Sequence, residues 1–118
     1  MKVMLAYRQA FSLAAMILLA ALTSTTDARA QDGAAIRITV KNHRFQPSEL
    51  TGPANVPLTL LIKNLDAAPM EFESVSLRVE KVVPGNGEGV IRLRPLPPGR
   101  YTFFDDFHQE TQGTLTIR

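Results

Sequence analysis

Gly99-Arg100-Tyr101-Thr102-Phe103-Phe104-Asp105, followed by Asp106-Phe107-His108 and closed by Gly113-Thr114-Leu115-Thr116-Ile117-Arg118, decides the fold of this chain. Tyr101, Phe103 and Asp105 alternate with Arg100, Thr102 and Phe104, and successive side chains of a strand point to opposite faces. Phe103 is bulky and apolar, so its face is the core face, and Asp105 points inward with it where the strand leaves the sheet. Asp106 points the other way, and His108 returns over the same end. Leu115 and Ile117 anchor a second strand that pins the loop. A lone buried carboxylate is costly, so Asp105 must be paired, protonated or metal-bound. Two readings follow for this loop. Either Asp105 and His108 hold a metal ion, or Asp105 caps backbone amides in a surface turn and His108 is solvated.

Outward from this hairpin the chain reads as more strands. Ile36, Ile38 and Val40 alternate with Arg37, Thr39 and Lys41, the pattern of a half-buried strand. Phe45-x-Pro47 opens another segment, with Leu50 as its core anchor. Pro53 and Pro57 exclude helix between them, and Leu58, Leu60 and Ile62 alternate again before Asn64-Leu65-Asp66. In Met70-Glu71-Phe72-Glu73-Ser74, Glu71 and Glu73 share the face opposite Phe72, and Val75, Leu77 and Val79 continue the same spacing. Pro84-Gly85-Asn86-Gly87 is a turn. Val90 to Leu93 is a strand, and Pro95 to Gly99 turns the chain into the strand that carries Tyr101. No segment of residues 31–118 reads as a helix. Seven or eight short strands separated by turns predict an all-β fold, an antiparallel Greek-key β-sandwich or barrel.

Residues 1–30 read as a signal peptide. Lys2 and Arg8 make a positive start, Phe11 to Leu22 is an apolar run too short for an ordinary membrane span, and Ala28-Arg29-Ala30 fits the small-x-small cleavage rule. The working domain is then residues 31–118, exported to the periplasm and not membrane-spanning in its mature form. Three of the 13 basic residues (Lys2, Arg8, Arg29) and one of the 11 acidic residues (Asp27) lie in the leader, which leaves ten of each in the mature chain. A formally neutral domain lacks the basic face that nucleic-acid binding needs. The chain has no cysteine, so neither disulfides nor a thiolate ligand are available to it. Ser74 and Ser76 have no nucleophile-elbow context, and no glycine-rich phosphate loop is present.

The chain resembles the cupredoxins over nearly all of residues 31–118: Phe45-x-Pro47, Leu58 to Asn64 with Asp66, Met70-Glu71-Phe72, Pro98-Gly99-x-Tyr101-x-Phe103, the loop after it, and Gly113-Thr114-Leu115. In blue-copper members of that family a histidine stands where Met70 stands, a cysteine at the place of Asp105, a histidine at that of His108 and commonly a methionine at that of Thr111. Only His108 is retained, so a type 1 copper centre is excluded. Within the family, Glu71-Phe72-Glu73, Glu80-Lys81-Val82-Val83 and Phe103-Phe104-Asp105-Asp106-Phe107-His108 resemble the cupredoxin-like periplasmic component of bacterial four-protein ferrous-iron transport systems. More distantly, they resemble the cupredoxin-like domain of acid-induced iron uptake. This resemblance implies iron handling beside a periplasmic iron-binding protein and a membrane iron permease, with Asp105 and His108 as the residues that matter.

Asp105 and His108 are therefore the principal expected metal ligands, with Asp106, Glu71 and Met70 in support. Replacing thiolate by carboxylate favours hard cations, Fe(III) over Fe(II) most of all. Preferential binding of the ferric form drives oxidation, so a ferroxidase-like activity is a possible consequence. Copper is the alternative metal, since imidazole suits Cu(II) and the Met70 thioether suits Cu(I). Two other functions stay open, a copper-binding or chaperone module and a metal-free β-sandwich that only binds partners. The default reading of Met70 is core packing, of Glu71 and Glu73 a solvated strand face, of Glu80 an exposed charge, and of His43 a surface histidine, because one histidine alone makes no site. Tyr101 resembles the tyrosine corner of Greek-key sandwiches.

Overall fold

A computed structural model describes residues 33–118. The leader and its cleavage point lie outside the described residues. Nine strands follow in order: β1 (Ala34–Lys41), β2 (Arg44–Gln46), β3 (Glu49–Gly52), β4 (Leu58–Asn64), β5 (Met70–Ser74), β6 (Val79–Val83), β7 (Glu88–Leu93), β8 (Gly99–Asp105) and β9 (His108–Ile117). They form two sheets, ordered β2-β1-β4-β7 and β3-β9-β8-β5-β6. Among the described residues there is no helix, and none long and apolar enough to cross a membrane.

The all-β sandwich expected from the alternation is present, with nine strands rather than seven or eight among the described residues and two further corrections. Both sheets are mixed, because β1 pairs parallel to β4 and β3 parallel to β9. The remaining ladders are antiparallel. The alternation running through Val75 also does not make one long strand. Val75 to Arg78 form a turn between β5 and β6, Val75 is exposed, and Arg78 has a φ of 56°. Ser74 causes the break: its hydroxyl accepts the Leu77 N–H and donates to the Thr102 carbonyl. Such a side-chain bond competes with continued pairing.

The inward-facing sets named by alternation fill the space between the sheets. Ile38, Val40, Leu58, Leu60, Ile62, Phe72, Phe103, Leu115 and Ile117 are all buried. Three aromatics close one end of the core. Phe45 meets Phe103 edge-on at 4.9 Å, and Phe72 stacks on Phe103 at 5.0 Å. Such pairs add about 0.5–1.5 kcal/mol each beyond area burial. Phe72 and Phe103 lie one and two residues from the candidate ligands Glu71 and Asp105, so the site is built on a packed end of the core. The Tyr101 hydroxyl donates to the Pro97 carbonyl at 2.7 Å, the tyrosine corner expected from the sequence.

Candidate metal centre

Three backbone features bring the polar side chains to this end. The first is a register shift between Phe104 and Asp105: Phe104 pairs with Gln112, but Asp105 pairs with His108. The extra residues of β9 bulge, which re-aims side chains beside the loop. The second is the loop after β4. Buried Asn64 donates to the Ala68 carbonyl at 2.8 Å and accepts the Asp66 N–H at 3.0 Å, fixing where Asp66 sits. The third is the β1–β2 turn, where Asn42 and His43 both have positive φ, 51° and 54°. A two-residue hairpin loop of this kind favours glycine at its second position. Here the strained turn is held by Asp66, whose two carboxylate oxygens accept the Asn42 N–H at 2.7 Å and the His43 N–H at 2.9 Å. The bond from the His43 amide is the main reason the Asp66 carboxyl is held below its usual range.

Asp105 is fully buried and satisfied on both oxygens. Oδ1 accepts the N–H groups of Glu71 and Phe107, each at 3.0 Å. Oδ2 lies 3.1 Å from His108 Nδ1. Asp105 thus caps backbone amides, as one sequence reading expects, and it also contacts His108. With a proton on Nδ1, this contact leaves Nε2 as the lone-pair donor, the arrangement by which a carboxylate orients a metal-binding histidine. The accessible donor of the pair is His108, whose side chain is 30 % exposed while that of Asp105 is 0 % exposed. Met70 is buried in the core cluster.

The second grouping lies on the outer face of β5, β6 and the end of β8. One carboxylate oxygen from each of Glu71, Glu73 and Asp106 lies within 4.8 Å of the others. Glu80 stands directly across the β5–β6 ladder from Glu73 and hydrogen-bonds the Glu71 side chain. That bond, burial, and the charges of Glu80, Asp106 and Glu73 push the Glu71 carboxyl up to about 7. Burial, then the charges of Asp106 and Glu80, raise Glu73 as well. Like charges facing across a ladder are destabilising, and among the described residues no lysine or arginine forms an ion pair with these four. The cluster and the Asp105–His108 loop are stitched together by backbone: Asp106 N–H donates to the Glu71 carbonyl at 2.9 Å, and Glu71 N–H donates to Asp105.

The profile of the Cupredoxin-like domain family matches residues 13–117. The chain belongs to that family. A relative, an uncharacterized protein of Rickettsia prowazekii, is 41% identical over 83 residues. That match covers 70% of this chain and 66% of the relative, just under two thirds of its length. Among solved structures, the metal-binding domain of the Cu(I)-exporting P-type ATPase of Streptococcus pneumoniae superposes with a TM-score of 0.64 at 19% identity, over 74% of this chain and 88% of that one. Auracyanin A, a blue copper protein of Chloroflexus aurantiacus, gives 0.61 at 15% identity, over 73% of this chain and 100% of that one. At such identities the likeness is one of fold. The residues of this cupredoxin-like chain do not fit a blue-copper ion, because it has no cysteine and three donors occupy the oxygens of Asp105.

Of the residues singled out in the sequence, the fold brings Asp105 to His108 and Glu71 to Asp106. It also brings in two that the sequence leaves bland. Glu80 joins the carboxylates through strand pairing, and no local pattern signals that. His43 stacks on His108 with ring centroids 3.9 Å apart, across a sequence distance that composition cannot bridge.

Proposed function

We propose that this chain is a periplasmic, cupredoxin-like metal-binding protein of ferrous-iron uptake. In this reading it collects iron as cargo at Glu71, Glu73 and Asp106, assists oxidation of Fe(II), and hands the ferric ion to a membrane permease beside a periplasmic iron-binding protein. The observation that carries the proposal is the convergence of three carboxylate oxygens within 4.8 Å on one sheet face, next to the Asp105–His108 loop. A cation relieves the carboxylate repulsion that helps to raise Glu71. All-oxygen ligation favours Fe(III) over Fe(II), and each tenfold preference lowers a one-electron potential by about 59 mV. The chain supplies no redox group of its own, so the electron passes to an external one-electron acceptor, for example Fe(II) + Cu(II) giving Fe(III) + Cu(I).

The alternative reading, a copper-binding module, is favoured by the His108 imidazole, since imidazole suits Cu(II). The deciding experiment is titration with Fe(II) under controlled oxygen, following ferric product. The wild type is expected to bind iron and speed its oxidation, and a Glu71→Gln, Glu73→Gln double variant to lose both. Equal iron uptake by the two proteins would refute the assignment.

A further inference from the structure

The stacked pair His43–His108 has no part in the carboxylate cluster. The two rings lie 3.9 Å apart with their planes 29° from parallel. Each carries a carboxylate on its Nδ1 side: Asp105 Oδ2 at 3.1 Å from His108 and Asp66 Oδ2 at 3.8 Å from His43. Neither Nε2 has a hydrogen-bond partner among the described residues. Both side chains keep access to solvent, 47 % exposed for His43 and 30 % for His108.

The placement of His43 is held in a way a solvated surface residue does not need. It sits at φ 54°, a conformation that costs a non-glycine residue energy and persists only when its surroundings impose it. Three contacts impose it. Asp66 takes its N–H, Asp66 also takes the preceding N–H, and the Thr111 hydroxyl donates to its carbonyl. Thr111 is buried and reaches His43 because the β9 bulge turns it inward. The Asp105 carboxylate at hydrogen-bond distance from His108 Nδ1 favours the tautomer that leaves Nε2 open to a cation, and the Asp66 carboxylate lies 3.8 Å from His43 Nδ1, an electrostatic contact only.

We propose that His43 and His108 form a bis-imidazole site for a divalent cation of borderline softness, Cu(II) in particular, separate from the carboxylate cluster. Chelation needs the 29° fan between the rings to open further, and the exposed ring of His43 is free to turn about its side-chain bonds. Water completes the coordination. The site is independent of the iron reading, since it shares no residue with Glu71, Glu73 or Asp106.

The test is Cu(II) titration of the protein, with nitrogen ligands counted by electron spin-echo envelope modulation. The wild type is expected to bind one Cu(II) at this site with two imidazole nitrogens. His43→Asn, which tolerates positive φ and so preserves the turn, is expected to show one nitrogen and roughly tenfold or greater weakening. Glu71→Gln, Glu73→Gln is expected to keep both nitrogens, which separates this result from failure of the iron site. One nitrogen in the wild type, an unchanged count in His43→Asn, or no Cu(II) uptake at all would overturn the proposal.

Discussion

At the scale of single residues, Asp105 is the most consequential side chain. Its Oδ1 accepts two backbone N–H groups, and removing the acceptor strands a buried donor on Glu71. Asp105→Ala should therefore lose about 2–4 kcal/mol of stability, read from urea unfolding. Asp105→Asn separates folding from chemistry. The amide oxygen still caps the loop, but its NH₂ group faces His108 Nδ1 and forces the proton onto Nε2. The variant should fold as the wild type does, its nitrogen-15 spectrum should report the switched tautomer, and metal affinity should fall by about 10–100-fold. Glu71 adds a pH signature. Its carboxyl is raised from 4.5 to about 7 in the folded chain, so the folded state binds the extra proton between those values. That contribution to stability is complete below pH 4.5 and is lost as pH rises through about 7. Urea midpoints of the metal-free protein should fall over this window, and Glu71→Gln should flatten the curve. The inward aim of Asp105 was legible in its alternation with Phe103. The neighbours it acquires, the Glu71 amide above all, come from β5 and carry no mark in the local sequence.

At the scale of elements, the β8–β9 hairpin sets the site. Alternation placed Phe103, Leu115 and Ile117 on the core face, as found. The start of β9 at His108 was hidden, because Gln109 to Gln112 read as a polar loop and their pairing depends on the bulge. Gly113 shows how closely this hairpin is packed. A Cβ there would collide with the Phe103 ring and come within 2.8 Å of the Ser48 carbonyl. Phe103 is itself wedged against Phe45 and Phe72. Gly113→Ala should therefore cost about 1–3 kcal/mol as an overpacked core, seen as a lower Tm in calorimetry. The same strain should loosen the loop at Asp105. The β1–β2 turn could be foreseen as polar, but not as an arm reaching His108. That follows from the parallel pairing of β1 with β4, which sets Asn42 and His43 beside Asp66.

At the scale of the whole molecule, the repeated alternation and turn residues were enough for the sandwich, since each inward set finds its facing sheet. The two parallel ladders were not legible, because alternation is the same in either strand direction. A small domain without disulfides has modest stability to spare, so ligand binding should register strongly in its unfolding. Ferric ion at about 100 times its Kd should add about 2.7 kcal/mol, a rise of roughly 10–20 °C in Tm for a domain of this size. A chelator should reverse it. The most direct test of the account is anomalous scattering at the iron edge from crystals loaded with iron. The account predicts a peak flanked by the carboxylates of Glu71, Glu73 and Asp106. No peak at saturating iron, or one remote from all three, would contradict it.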